Sequence, residues 1–213
     1  MKSSLVLAIT LALAAPAAFA QHMPAPAAAA AAANVTAPHL HAALRALWHG
    51  HVVHAREYAF AVHAGNAKAS KKADAAVVAN AKQIAAAVGG FYGDGARRQM
   101  QQLLAGHWGA VKHITDASRA GDAAGRTRAI ADLTENAKAI AAFLSGANPY
   151  LPNDAVFGLL AAHGGHHVAQ IDQVMKNDGA GEAVTWSAMQ KHMDTIADAL
   201  AGAIAKQFPA KAT

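Results

Sequence analysis

The chain contains no cysteine. That absence excludes disulfides, thiolate metal sites, iron–sulfur clusters and cysteine-anchored haem. Aromatic residues are also scarce, with only three tryptophans and three tyrosines in 213 residues, so the stacking platforms of a single-strand nucleic-acid groove are not expected. Positive charge exceeds negative by a formal +5, yet it is scattered, and Lys71-Lys72 and Arg97-Arg98 are the only basic doublets. A nucleic-acid partner is therefore not expected, and the charge supports at most a weak attraction to anionic surfaces. Glutamate is rare too: Glu57, Glu135 and Glu182 are the whole set, and none stands in the Glu-x-x-His spacing of a ferritin-like di-iron site. No H-E-x-x-H, Gly-x-Ser-x-Gly or phosphate-loop motif occurs, so the sequence reads as a binding protein more than an enzyme. No run of alternating β-branched residues suggests a sheet.

Long apolar runs are missing except at the start. Lys2 precedes an apolar stretch from Leu5 to Ala15, Pro16 breaks it, and Ala18-Phe19-Ala20 offers small residues at a cleavage site before Gln21. This is the pattern of a signal peptide over residues 1–20. The stretch is shorter than the roughly twenty residues a spanning helix needs, and no later segment reads as a membrane span. The expected address is the periplasm or the cell exterior. Residues 21–38 are rich in Ala and Pro without a pattern of buried positions, and read as a disordered tether. Asn34-Val35-Thr36 matches a glycosylation sequon, without meaning in a bacterial setting.

What remains, residues 39–209, is helical in period throughout. Alanine, the best helix former, dominates. Breakers at Gly89-Gly90, Gly93-Asp94-Gly95, Gly121-Asp122, Asn148-Pro149 and Asp178-Gly179, with a softer break over Lys68 to Ala73, predict six helices. Their expected bounds are 39–65, 71–89, 94–120, 123–145, 153–177 and 183–207. A shift of 56 residues brings the pattern back twice: Leu47, Leu103 and Leu159 align, as do His51, His107 and His163. Asn80, Asn136 and His192 follow in the same register, then Ile84, Ile140 and Ile196. The expected fold is an all-α bundle built from three repeated helical hairpins.

Histidine is what the chain has in excess, with thirteen residues. His51 sits on one face with Leu44, Leu47, Ala55 and Tyr58 at three- and four-residue steps. His107 does the same with Met100, Leu103, Val111 and Ile114, and His163 with Val156, Leu159 and Ile171. Each repeat thus places an imidazole in the middle of an apolar stripe, where an unsatisfied polar group is costly. A shared transition-metal ion, zinc or copper, would satisfy all three, provided that the hairpins close around a common axis. Stacked as an open solenoid, equivalent residues would lie about 10 Å apart. His54 follows His51 by one turn, and His167 follows His163 at i+4, a spacing from which two imidazoles bind one ion. His192 stands between Met189 and Met193, a thioether environment that would suit copper(I), although core packing is the first reading of both methionines. The candidate ligands are therefore His51, His54, His107, His163, His167 and His192. His22, His39, His41, His49, His63 and His113 read as peripheral.

Leu44-Arg45-Ala46-Leu47-Trp48 followed by His51, then Phe91-Tyr92-Gly93, Asn136-Ala137 running to Phe143-Leu144, Asn148-Pro149 and Gln207-Phe208-Pro209, in that order, resemble a family of small exported bacterial all-helical proteins. The resemblance spans nearly the whole helical region. It implies export and a helical fold, and marks His51, His107 and His163 as family-like positions without giving them a role. A glycosyltransferase label sometimes attached to that family finds no support in a chain with no alternating β/α pattern. The sequence thus points first to an exported metal-binding protein for sequestration, sensing or delivery. The alternative is a periplasmic helical interaction module whose buried histidines are structural. A third reading, an enzyme on a histidine-bound metal, would need a general base, for which Glu57 is the acid nearest His51 in sequence.

Overall fold

The structure is a computed structural model, and it describes residues 38–212. The expected signal peptide, the tether up to residue 37 and the Asn34 sequon lie outside the described residues. Those residues form five helices and no strand: α1 (Pro38–His63), α2 (Ala67–Ala120), α3 (Ala123–Ala147), α4 (Asn153–Met175) and α5 (Gly179–Gln207).

The helix boundaries follow local chemistry. Asn66, Asp122 and Asp178 each stand just before a helix and accept a hydrogen bond from the backbone N–H three residues on, at 3.0, 2.8 and 2.9 Å. Such caps satisfy one of the unpaired donors of the first turn and are each worth about 1 kcal/mol. Gly121 closes α2 in the left-handed conformation at φ 72°, where its N–H reaches the carbonyls of Ala117 and Ser118. The break expected over Lys68 to Ala73 falls earlier, at Gly65 and Asn66. Lysine and alanine are good helix formers, and the Asn66 cap starts the helix ahead of them.

Five elements stand where six were expected because residues 71–89 and 94–120 are the two arms of α2, which meet at a kink at Gly93, one of the expected breakers. Gly89 and Gly90 stay helical, and only Gly93 leaves helical geometry, at φ 88° and ψ 176°. That conformation suits glycine alone. Gly89 serves the same bend differently: a Cβ there would stand 2.7 Å from the Cβ of Arg97, so the missing side chain lets the two arms of α2 approach.

The bundle closes on itself. α1 packs against α2, α2 against α3, α3 against α4 and α4 against α5, and α5 returns to pack against α1. α4 also touches α1 and α2. An open solenoid would keep its first and last helices apart. Two apolar clusters fill the interior. One gathers Leu44, Trp48, Val52, Ile84, Met100, Leu104, Ile140, Leu160, Met189, Met193 and Ile196. The other gathers Ala55, Tyr58, Val77, Trp108, Val111, Ile114, Leu133 and Ile171. Burying each large aliphatic side chain contributes about 1.5–3 kcal/mol, and no described helix is long and apolar enough to cross a membrane.

One hydrogen bond recurs at three places. Asn80 Nδ2 donates to the carbonyl of Leu47 at 3.0 Å, and Asn136 Nδ2 to that of Leu103 at 2.9 Å. His192 Nε2 bonds the carbonyl of Leu159 at 2.8 Å. Each bond spans 33 residues and ties one helix to the turn just before His51, His107 or His163. The short asparagine side chain requires close approach, and Gly50 and Gly106 allow it: a Cβ on either would stand 2.9 Å from the carboxamide nitrogen.

Candidate metal centre

On α1, Trp48 and Val52 belong to the first apolar cluster and Ala55 and Tyr58 to the second, with His51 between them. On α2, His107 separates Leu104 from Val111 and Ile114. On α4, His163 and His167 lie between Leu160 and Ile171. The four histidines therefore form a polar layer between two dry clusters. They are 2, 5, 1 and 1% exposed in the order His51, His107, His163, His167, so bulk water does not satisfy them.

The four rings make a compact group. The centroids of His51 lie 5.5, 5.8 and 5.8 Å from those of His107, His163 and His167. His107 stands 5.4 and 5.9 Å from His163 and His167, which are 4.4 Å apart. Five separations lie between 5.4 and 5.9 Å and the sixth is 4.4 Å, so the rings, by their centres, mark a tetrahedron shortened along the His163–His167 edge. Each offers a nitrogen, and these four atoms lie within 4.8 Å of one another. Nitrogens bound tetrahedrally at about 2.0–2.1 Å are about 3.4 Å apart, so small ring rotations would bring the set onto one ion.

The hydrogen bonding of this layer is incomplete. Both ring nitrogens of His51, both of His107 and Nδ1 of His163 are buried without a partner. The one bond inside the group joins His163 Nε2 and His167 Nε2 at 3.1 Å. Around it, Asn80 Oδ1 and Asn136 Oδ1 are also buried and unpartnered. Each unmet polar group costs about 1–3 kcal/mol, so the layer is held at substantial expense.

Burial sets the protonation of the layer. It pushes His51 down to about 3, with the nearby His107 and His54 adding to the effect. It pushes His107 down to about 4, opposed by the neighbouring Asn136 carboxamide, although the contact does not reach good hydrogen-bond geometry. His163 and His167 are held well below the usual histidine range by burial and then by the other histidines. At neutral pH all four are uncharged imidazoles, the form in which histidine binds metals.

Of the six candidate ligands read from the sequence, four meet here and two lie apart. His54 is partly exposed and pairs with Glu57 at 2.9 Å. His192 spends its Nε2 on the Leu159 carbonyl, and its ring lies 5.4 Å from that of His166, outside the four-ring group. Met189 and Met193 are fully buried in the first apolar cluster. Glu57 is exposed and paired with His54, and it is not among the four grouped residues, so the structure gives it no place as a base within the cluster. Besides His63, which bonds Asn177, two histidines expected at the periphery pair with carboxylates: His41 is buried and bonds Asp198 at 2.9 Å, and His49 bonds Asp194 at 2.8 Å. Each gains a carboxylate on α5 that no local spacing reveals.

The sequence reading missed a polar network one turn from the cluster. Glu182, 3% exposed, takes two hydrogen bonds from Arg56 at 2.7 and 2.8 Å and one from Gln170 at 2.8 Å. The Arg56 guanidinium also lies 4.9 Å from the rings of Phe60 and Trp186. Three residues that lie 12 to 126 positions apart in the chain meet here, and only the i+3 spacing of Gln170 from His167 hints at it. No known protein family, curated protein or solved structure matches the chain.

Proposed function

We propose that this protein binds one transition-metal ion, of the zinc or copper class, in the layer formed by His51, His107, His163 and His167. The observation that carries the reading is the set of five unpartnered ring nitrogens in a dry, closed group of four neutral imidazoles. A histidine kept for structure alone normally finds a backbone carbonyl or a side chain, as His41, His49 and His192 do. The four cluster histidines find only one bond among them. A single ion would accept one nitrogen from each.

Three further elements belong to the same proposal. The recurring bond from Asn80, Asn136 and His192 supports descent of the bundle from three hairpins: α1 with the first arm of α2, the second arm with α3, and α4 with α5. Each hairpin then supplies one equivalent histidine, and α4 adds His167. Residues 1–20 act as a cleaved leader, so the protein works in the periplasm or outside the cell, where it sequesters, senses or delivers its ion. The resemblance to small exported helical proteins supports the same address. Mass spectrometry of the protein from its native host should find a chain beginning at Gln21, and a bulk population starting at Met1 would refute the export reading.

The metal reading is tested by melting the metal-free protein with and without one equivalent of zinc or copper. An ion bound only by the native state raises the melting temperature by mass action. Replacing His51, His107, His163 or His167 by Ala should remove most of that gain. Replacing the half-buried His63, which bonds Asn177 away from the cluster, should leave it intact, and this controls for nonspecific affinity. Equal gains in all five variants would return the four residues to the role of structural polar groups.

A further inference from the structure

We propose that the four-histidine centre selects a singly charged ion, Cu(I), over the divalent ions Zn(II) and Cu(II). The inference rests on the metal-binding reading above and names the ion.

It follows from the charges around the site. The four ligands are neutral imidazoles, and no carboxylate joins them in the group. Outside them, the polar groups are neutral as well. Asn136 lies beside His107, and Asn80 is bonded to the carbonyl one turn before His51. At the third equivalent position His192 stands. Histidine ligands commonly donate their second N–H to a carboxylate, which supplies both orientation and negative charge. Here the acceptor beside His107 is the unpartnered carboxamide oxygen of Asn136. It can orient a ring but does not offset charge. Among the described residues Glu182 is the single buried carboxylate, and Arg56 already neutralises it in a two-bond pair.

An ion in this layer therefore keeps its full charge in a dry interior. The cost of burying charge grows as its square, so a doubly charged ion meets about four times the penalty of a singly charged one. Ligand softness does not decide between the ions, because imidazole suits zinc and copper alike. Geometry adds a second discrimination. The near-tetrahedral placement of the rings suits an ion with a filled d shell and opposes the tetragonal preference of Cu(II).

The test uses the metal-free full-length protein without oxygen. Cu(I) is supplied as its acetonitrile complex, Zn(II) as a simple salt, and the metal content of the protein is measured after gel filtration. One Cu(I) per chain should be retained against about a hundredfold molar excess of Zn(II). Displacement of Cu(I) by equimolar Zn(II) would overturn the inference while leaving a metal site. Binding of neither ion would overturn the metal reading itself. A paired comparison isolates the charge. Asn136→Asp and Asn136→Ala both lose the bond to Leu103, but only the first adds a carboxylate beside His107. The Cu(I)-to-Zn(II) affinity ratio should fall at least about tenfold in Asn136→Asp relative to Asn136→Ala. Equal ratios in the two variants would refute the electrostatic basis for the choice.

Discussion

His51 carries the conflict between stability and site most clearly. Both of its ring nitrogens are buried and unpartnered, and its neighbours on the helix are Trp48, Val52 and Ala55. A leucine of similar size would remove the unmet polar groups without leaving a cavity. His51→Leu should therefore stabilise the metal-free protein by about 1–2 kcal/mol in urea unfolding, and should abolish the metal-dependent rise in melting temperature. Destabilisation of the metal-free protein would mean that the imidazole has a partner after all.

The same residues govern acid stability, and the sign can be worked out. In the unfolded chain these histidines titrate near about 6.5, whereas folding lowers His51 to about 3 and His107 to about 4 and depresses His163 and His167 as well. Above about 6.5 neither state binds the protons, and the full stability is present. As pH falls toward 4, the unfolded chain takes up protons that the folded one refuses. Each of the four residues then costs up to about 1.4 kcal/mol per pH unit. The metal-free protein should lose its helical circular dichroism between about pH 6 and 4, and the quadruple variant with Leu at all four positions should resist. Loss at the same pH in both proteins would place the acid-labile groups elsewhere.

Among the elements, the contact between α1 and α2 and the contact between the second arm of α2 and α3 depend on glycines that were not legible as such. Gly106 and Gly109 look alike in the sequence. A Cβ at Gly106 would press on Asn136 Nδ2 at 2.9 Å, while a Cβ at Gly109 would meet nothing within 4 Å. Gly106→Ala should break the bond from Asn136 to Leu103, cost about 1–2 kcal/mol and weaken metal binding by moving the turn that precedes His107. Gly109→Ala, in an exposed helix position, should instead stabilise by about 0.5–1 kcal/mol. Urea unfolding of the two variants decides, and equal effects would refute the close-approach role of Gly106. Helical spacing made the burial of His51, His107 and His163 readable, since each stands at three- and four-residue steps from apolar neighbours. It could not tell that Asn80 and Asn136 reach backbone carbonyls, since that depends on helix spacing. Nor could it tell that Gly89-Gly90 would remain helical and Gly93 alone would bend α2, because a glycine pair permits either outcome.

For the whole molecule, the decisive unknown in the sequence was closure. Local periodicity places His51, His107 and His163 on the inner faces of their helices, but whether those faces share an axis depends on contacts between residues far apart. The packing of α5 on α1 answers it: the helices close, and the three rings come within 5.4 to 5.8 Å of one another. His167 joins them through its i+4 spacing from His163. His54, also one turn from a cluster histidine, turns outward to Glu57 instead. That difference illustrates what helical spacing leaves open, since a three-residue step rotates a side chain about 60° from its predecessor and the neighbours decide which edge is buried. The Arg56–Glu182–Gln170 network was invisible for the same reason. It joins α1, α4 and α5 and exists only once the bundle has closed.

X-ray absorption spectroscopy of the protein loaded with one equivalent of copper under reducing conditions reads the ligand shell itself. It should show a nitrogen-only first shell with the outer scattering of imidazole rings, and the ring signal should fall when any one of His51, His107, His163 and His167 is replaced. A shell dominated by solvent oxygen, or one unchanged by those replacements, would contradict a metal centre in the histidine layer.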